Sequence, residues 1–171
     1  TNEPNQPATL PTPIPGPAES DGWVQLFNGK DLTGWESHPQ RPGDWKVHNG
    51  VLIGRGPSLS HLLTTRNDYQ DFQLRAVVRM SDRCDSGIVL RCDAGSEKAP
   101  TPNGYEVNIS PNWLGDVYRT GADKRRWPRM KGEKISSAAW TTLEITAQGN
   151  RIVVKVDGTL VNDISDDIHR K

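Results

Sequence analysis

The chain has 171 residues, enough for one domain with a proper core. Its 21 basic and 21 acidic side chains cancel, so strong attraction to nucleic acid or an anionic membrane is not expected. No apolar run approaches the ~20 residues of a membrane-spanning helix, and 16 glycines with 13 prolines predict many turns, as in all-β folds of short strands.

Residues 1–20 hold six prolines and no aromatic residue. Such a segment buries too little surface to offset its ordering entropy, so it reads as a disordered Pro-rich linker or a boundary tail. Its first residues lack the basic start and apolar core of a signal peptide. Residues 21–171 read as a single domain. Trp23–Phe27 looks like a short strand closed by Asn28-Gly29. Trp45-Lys46-Val47 and Val51-Leu52-Ile53 flank Asn49-Gly50, a strong hairpin signal. Ser58–Thr65 groups Leu59, Leu62 and Leu63 as one helical turn would.

Phe72–Met80 alternates, with Phe72, Leu74, Ala76, Val78 and Met80 on one face. Gly87–Arg91 and Tyr105–Ile109 read as two further strands. Cys84 and Cys92 bracket the first of these. An extended segment holds them some 20 Å apart, too far for a disulfide, so both thiols are expected free. Thr141–Ala147 and Arg151–Val156 form a second hairpin turning at Gly149-Asn150. That phasing sends Leu143, Ile145, Ala147, Ile152, Val154 and Val156 inward and sets Glu144 across from Lys155 as a solvated ion pair. No segment has sustained helical periodicity, and short strands at this spacing predict a β-sandwich.

Leu26-Phe27-Asn28-Gly29-Lys30-Asp31-Leu32-Thr33-Gly34-Trp35 resembles the opening signature of the family known as domain of unknown function 1080, the 3-keto-disaccharide (3-keto-glycoside) hydrolase-like family. The likeness continues through Trp45-Lys46-Val47, Tyr69–Arg75, Asp85–Arg91, Asn103–Ile109 and Trp140–Gly158. This resemblance implies a concanavalin-like jelly-roll β-sandwich, a bacterial origin, and an exported, periplasmic or cell-surface setting. It also implies action on oxidised sugars, with membrane contact only through an anchor upstream of residue 1. The chain has Asp85 where the family usually has Asn, Asn108 for Gln, Ser110 where an acid is often found, and Thr141 for Asn. These departures bear on catalysis more than on fold. The family carries a further Gly-rich strand after the Asp157-Gly158 hairpin. Here no such strand is expected, which would leave an open sheet edge.

Sugar sites combine aromatic faces with a few carboxylates, amides and guanidinium groups. Strand phasing points Arg91 away from Ile88 and Leu90, and Glu106 and Asn108 away from Tyr105, Val107 and Ile109. On adjacent strands, Arg91, Glu106 and Asn108 would converge on one sheet face, rimmed by Trp113, Asp116, Tyr118 and Trp127. Within the family setting Glu106 is the candidate catalytic base or acid, and Arg91 the group that steadies an enolate. Arg91 and Glu106 read equally as a structural ion pair, and Trp113 and Trp127 equally as packing. Trp23, Trp35, Trp45 and Trp140 read as packing.

His38, His48, His61 and His169 show no zinc spacing. Asp82, Asp85 and Asp93 read as turn acids or as oxygen ligands for a divalent metal ion such as Ca²⁺. Arg119, Lys124, Arg125, Arg126, Arg129, Lys131 and Lys134 form a basic cluster, read as a solvated loop or a rim for an acidic sugar, with no nucleic acid as partner. Two readings follow: a hydrolase of 3-keto glycosides, or a non-catalytic carbohydrate-binding or sensing module. In both, the partner is a carbohydrate ligand.

Overall fold

A computed structural model describes residues 22–56, 59–93, 101–121, 124–130 and 139–168. Residues 1–20, Ser58, Lys131, Lys134 and His169 lie outside the described residues. Twelve strands follow in chain order: β1 Trp35–Ser37, β2 Asp44–His48, β3 Val51–Arg55, β4 Leu62–Thr64, β5 Phe72–Val78 and β6 Ser86–Asp93, then β7 Asn103–Ile109, β8 Val117–Arg119, β9 Arg125–Trp127, β10 Thr141–Gln148, β11 Arg151–Val156 and β12 Thr159–Ser165.

Two four-stranded antiparallel sheets, in the orders β6-β7-β8-β9 and β12-β11-β10-β5, make an all-β jelly-roll sandwich. One core joins them. Leu90, Tyr105, Val107 and Val117 from the first sheet meet Leu143, Ile145, Ile152, Val154 and Ile164 from the second. Each fully buried aliphatic side chain here contributes about 1.5–3 kcal/mol. The predicted alternation holds: β10 and β11 pair Leu143 with Val156, Ile145 with Val154 and Ala147 with Ile152, all buried.

Both hairpins form where expected. β2 and β3 turn at Asn49 and Gly50, whose φ angles of 49° and 77° match the left-handed turn that an Asn-Gly pair favours. Gln148 pairs with Arg151 around Gly149-Asn150. Cys84 and Cys92 are free, and burial, reinforced by Asp85 and Asp93 respectively, pushes both thiols up, away from reactivity.

Three expectations are corrected. Trp23–Phe27 forms no strand; the chain there is tied down by the Trp35 indole, whose Nε1–H donates to the Leu26 carbonyl at 2.8 Å. In place of a helical turn, Leu62–Thr64 is strand β4, because Trp35–Ser37 offers it an antiparallel partner. Glu144 does lie opposite Lys155, yet its carboxylate accepts from Arg75 Nη2 at 3.0 Å on the other neighbouring strand. At Asp157-Gly158 the chain turns into β12, which pairs with β11, with a register shift at Val154/Lys155, and buries Val161 and Ile164.

The opening signature has a structural explanation. Asn28 Oδ1 accepts from the backbone N–H groups of Lys30 and Asp31, at 2.8 and 3.0 Å. Asn28 Nδ2 donates to Asp31 Oδ1 at 2.7 Å, and that oxygen also accepts from Thr33 N at 2.9 Å. Hydrogen bonds from Asn28, then Thr33, hold the Asp31 carboxyl down at about 2. The loop is thus a self-satisfied turn carrying Trp35 into β1, and its residues are spent on local structure.

Candidate carbohydrate site

Register places the candidate site. In antiparallel sheets, paired residues share a face. Glu106 on β7 pairs with Tyr118 on β8, which pairs with Arg126 on β9. One row across the outer face of this sheet therefore reads carboxylate, phenol, guanidinium. Beside it lie Gly87 and Asn108, a register pair. The alternate residues Tyr105, Val107 and Val117 fill the core.

Glu106 is half-buried, and among the described residues its carboxylate has no hydrogen-bond partner. Burial, and secondly the negative charge of Asp85, push its pKa above the usual carboxylate value of 4.5. Gly87 makes room for it: a Cβ there would lie 2.5 Å from Glu106 Cγ. Gly87→Ala is expected to displace the carboxylate with little loss of fold, read as a selective drop in any Glu106-dependent turnover at unchanged melting temperature. Burial, acting first, also raises the Tyr118 phenol against the opposing charge of Arg126, so its hydroxyl remains a proton donor at neutral pH.

Arg126 is held from below. Its Nε and Nη2 donate to Asp116 Oδ2 at 2.9 and 2.6 Å, while Asp116 Oδ1 accepts from Arg129 N at 2.8 Å. Among the described residues Nη1 makes no hydrogen bond. The guanidinium lies 5.7 Å from the Trp113 ring centroid and 5.6 Å from that of Tyr118. Trp113 is 43% exposed, as expected of a rim residue.

The expected convergence of Arg91, Glu106 and Asn108 is only partly realised. Arg91 sits at φ 48°, within the register shift between Leu90 and Asp93, and this left-handed residue turns its side chain out of phase. Its guanidinium donates to the Gly149 carbonyl at 2.5 Å, to the Gln70 carbonyl at 3.3 Å and to Asp71 Oδ1 at 3.2 Å. It clamps β6 to the β10–β11 turn, and its side chain is 1% exposed. Arg91→Ala is expected to cost about 2–3 kcal/mol of stability and to leave sugar binding on the Glu106 face intact, checked by denaturant melts beside ligand titration.

Asn108 shares the Glu106 face but is buried, and its Oδ1 has no hydrogen-bond partner among the described residues. Asp116, expected at the rim, is 1% exposed with both oxygens committed, so it positions Arg126 and does not itself meet solvent. Trp127 pairs with Val117 and packs against the core near Tyr105, between the guanidinium groups of Arg119 and Arg125, so it too leaves the rim. Arg126, placed only within the basic cluster by the sequence, joins Glu106 and Tyr118 on this face. The phase of Trp127 carried the signal: with Trp127 inward, Arg126 must face outward.

Two members of the basic cluster are paired, Arg126 with Asp116 and Arg119 with Asp166. Among the described residues no three His, Cys, Asp or Glu side chains gather as metal ligands.

The fold and this face define a carbohydrate-related β-sandwich domain. The chain belongs to the family of 3-keto-alpha-glucoside-1,2-lyase-like domains, whose model matches residues 22–171. No curated protein matches it in sequence. Among solved structures it is similar to a provisionally assigned glycosyl hydrolase from Parabacteroides distasonis ATCC 8503, with 19% identity and TM-score 0.69 over 86% of this chain and 74% of that one. A second such structure from the same organism aligns at 20% identity and TM-score 0.64, over 84% and 72%. The carbohydrate-binding module CBM66 from Bacillus subtilis aligns at 20% identity and TM-score 0.61, over 81% and 83%. At these identities the likeness establishes the fold.

Proposed function

We propose that the Glu106 face binds a 3-keto glycoside and that Glu106 is the base that opens it. The observation carrying this reading is a half-buried carboxylate with raised pKa and no hydrogen-bond partner among the described residues, in register with a phenol and a guanidinium. A carboxyl raised toward neutrality is a better proton carrier at physiological pH than an ordinary one.

The chemistry follows from the ketone. A carbonyl at C3 acidifies the C2 proton. Glu106 takes that proton, and the C2–H electrons form an enolate whose oxygen meets Arg126 Nη1. As the C3 carbonyl re-forms, a double bond forms between C1 and C2 and the C1–O glycosidic bond breaks. The departing oxygen receives a proton from the Tyr118 hydroxyl or from protonated Glu106. Water adding across C1=C2 then gives the free 3-keto sugar, so elimination followed by hydration sums to hydrolysis. Trp113 offers a face to the apolar side of the ring.

A second reading has its own support. The face is open, with Trp113 43% and the Arg126 side chain 45% exposed, as suits a module that binds sugar without converting it. Incubation with a panel of 3-keto disaccharides separates the two. Release of monosaccharide together with a C1=C2 unsaturated product supports the lyase reading. Saturable binding with no release of either over many hours leaves only the binding module.

A further inference from the structure

A second polar cluster lies away from this sheet, around the entrance to the β2–β3 hairpin. The loop before β2 is pinned to the residue preceding β4: His38 N donates to the His61 carbonyl at 3.0 Å, and His61 N to the Arg41 carbonyl at 2.9 Å. Gln40 N donates to His38 Nδ1 at 3.2 Å, and the two imidazole rings meet edge-on at 6.0 Å. This fixed loop borders an open depression of about 640 Å³ lined by Arg41, Pro42, Asp44, Arg55, Leu59 and Ser60, among others.

Five buried side-chain polar atoms have no hydrogen-bond partner among the described residues, and three of them, Arg41 Nε, Trp45 Nε1 and His61 Nε2, belong to this cluster. Buried polar groups without partners are rare and call for an explanation. Gly43 brings two groups together, since its missing Cβ would lie 2.7 Å from Trp45 Nε1 and 2.8 Å from Ser60 Oγ. Arg55 is exposed and has no ion-pair partner among the described residues, whereas the Asp44 carboxylate is neutralised by Lys46 at 3.2 Å. The wall thus carries the two guanidinium groups of Arg41 and Arg55 with the Ser60 hydroxyl beside them, and Arg41 Nε is one of the unpartnered atoms. Leu59, 62% exposed, and Pro42 add an apolar flank.

We propose that this depression is a second binding site, taking an acidic saccharide whose carboxylate is held by Arg41 and Arg55. Guanidinium groups match carboxylate geometry and make the stronger, charge-assisted hydrogen bonds. The apolar flank suits the C–H face of a sugar ring, and the depression has room for a monosaccharide. None of its lining residues belongs to the β6–β9 sheet, so this site stands independently of the Glu106 chemistry.

The test is titration of the whole chain at fixed ionic strength with glucuronate, glucose, acetate and inorganic sulfate, followed by NMR or calorimetry. Glucuronate is expected to bind saturably, with glucose, acetate and sulfate each at least tenfold weaker. Arg41→Gln and Arg55→Gln are each expected to weaken glucuronate by about tenfold, the loss of one charge-assisted contact, while Trp113→Ala, which removes the exposed ring of the Glu106 face, leaves it unchanged. Arg55 is exposed, so its variant decides the matter even if Arg41→Gln does not fold. Equal binding of glucose, or a loss caused by Trp113→Ala and not by Arg55→Gln, overturns the site. Acetate or sulfate binding as tightly as glucuronate overturns the saccharide assignment.

Discussion

Glu106→Gln is expected to lower turnover of a 3-keto disaccharide by about 10³-fold, within the range that a positioned general base supplies, while sugar affinity changes little. The carboxamide keeps the shape and cannot take the C2 proton. In the unsubstituted chain the rate should rise with pH as Glu106 ionises, and this limb lies above 4.5 because burial, then Asp85, raises the pKa. Stability carries the opposite sign. A carboxyl whose folded pKa is raised favours the folded state only while protonated. Its contribution is complete below the unfolded value and is lost as pH rises through the folded one. At neutral pH the ionised Glu106 therefore weighs against folding, and Glu106→Gln should melt higher, by roughly 1 kcal/mol, as site-removing substitutions often do. Full turnover in the variant would take Glu106 out of the mechanism. A lower melting point would contradict the electrostatic argument.

Arg119→Met should cause a large loss of stability, about 3–5 kcal/mol. Arg119 Nη1 meets Asp166 Oδ2 at 2.6 Å, with the two side chains 7% and 11% exposed. The guanidinium also lies 5.9 Å from the Trp127 ring centroid. The pair fastens the end of β8 to the residue just after β12, closing the two sheets at one end of the core. Truncating the arginine strands a buried carboxylate, and that penalty dominates the loss. Replacing both, as in Arg119→Met with Asp166→Leu, should restore most of it, which a double-mutant cycle by denaturant unfolding would measure. Burial pushes the Asp166 carboxyl up, but hydrogen bonds from Arg119 and Tyr105 outweigh it and leave the pKa below 3.8. Its contribution is thus present above about pH 4 and lost as pH falls below that. In Arg119→Met the Arg119 hydrogen bond and charge are gone and only the Tyr105 bond still lowers the carboxyl, so the acid-unfolding midpoint should move to higher pH. Unchanged midpoints in denaturant and acid would show the pair to be inert.

Much of the sandwich was legible in the sequence because its signals are local. Two-residue periodicity assigned inward and outward faces along β5, β7, β10 and β11, and Asn49-Gly50 and Gly149-Asn150 set hairpin register without reference to the rest of the chain. Placing Glu106 outward needed only the alternation Tyr105, Glu106, Val107. Elements shorter than one full alternation were not legible. Trp23–Phe27 carries strand-like residues and finds no ladder, while Leu62–Thr64 carries a helix-like leucine grouping and is drawn into a strand by β1.

The site divides along the same line. Residue type and strand phase nominated Glu106, and residue type alone put Trp113 and Tyr118 on loops at its rim. Tertiary structure decided the guanidinium: a left-handed residue within a register shift took Arg91 out of phase and spent it on Gly149, Gln70 and Asp71, whereas Asp116, ten residues before Arg126, is buried and holds that side chain beside the Tyr118 ring. Alternation fixes only which side of a strand a residue occupies. Where a long, charged side chain ends is set by acceptors on distant segments, and those acceptors exist only once the two sheets have closed on each other.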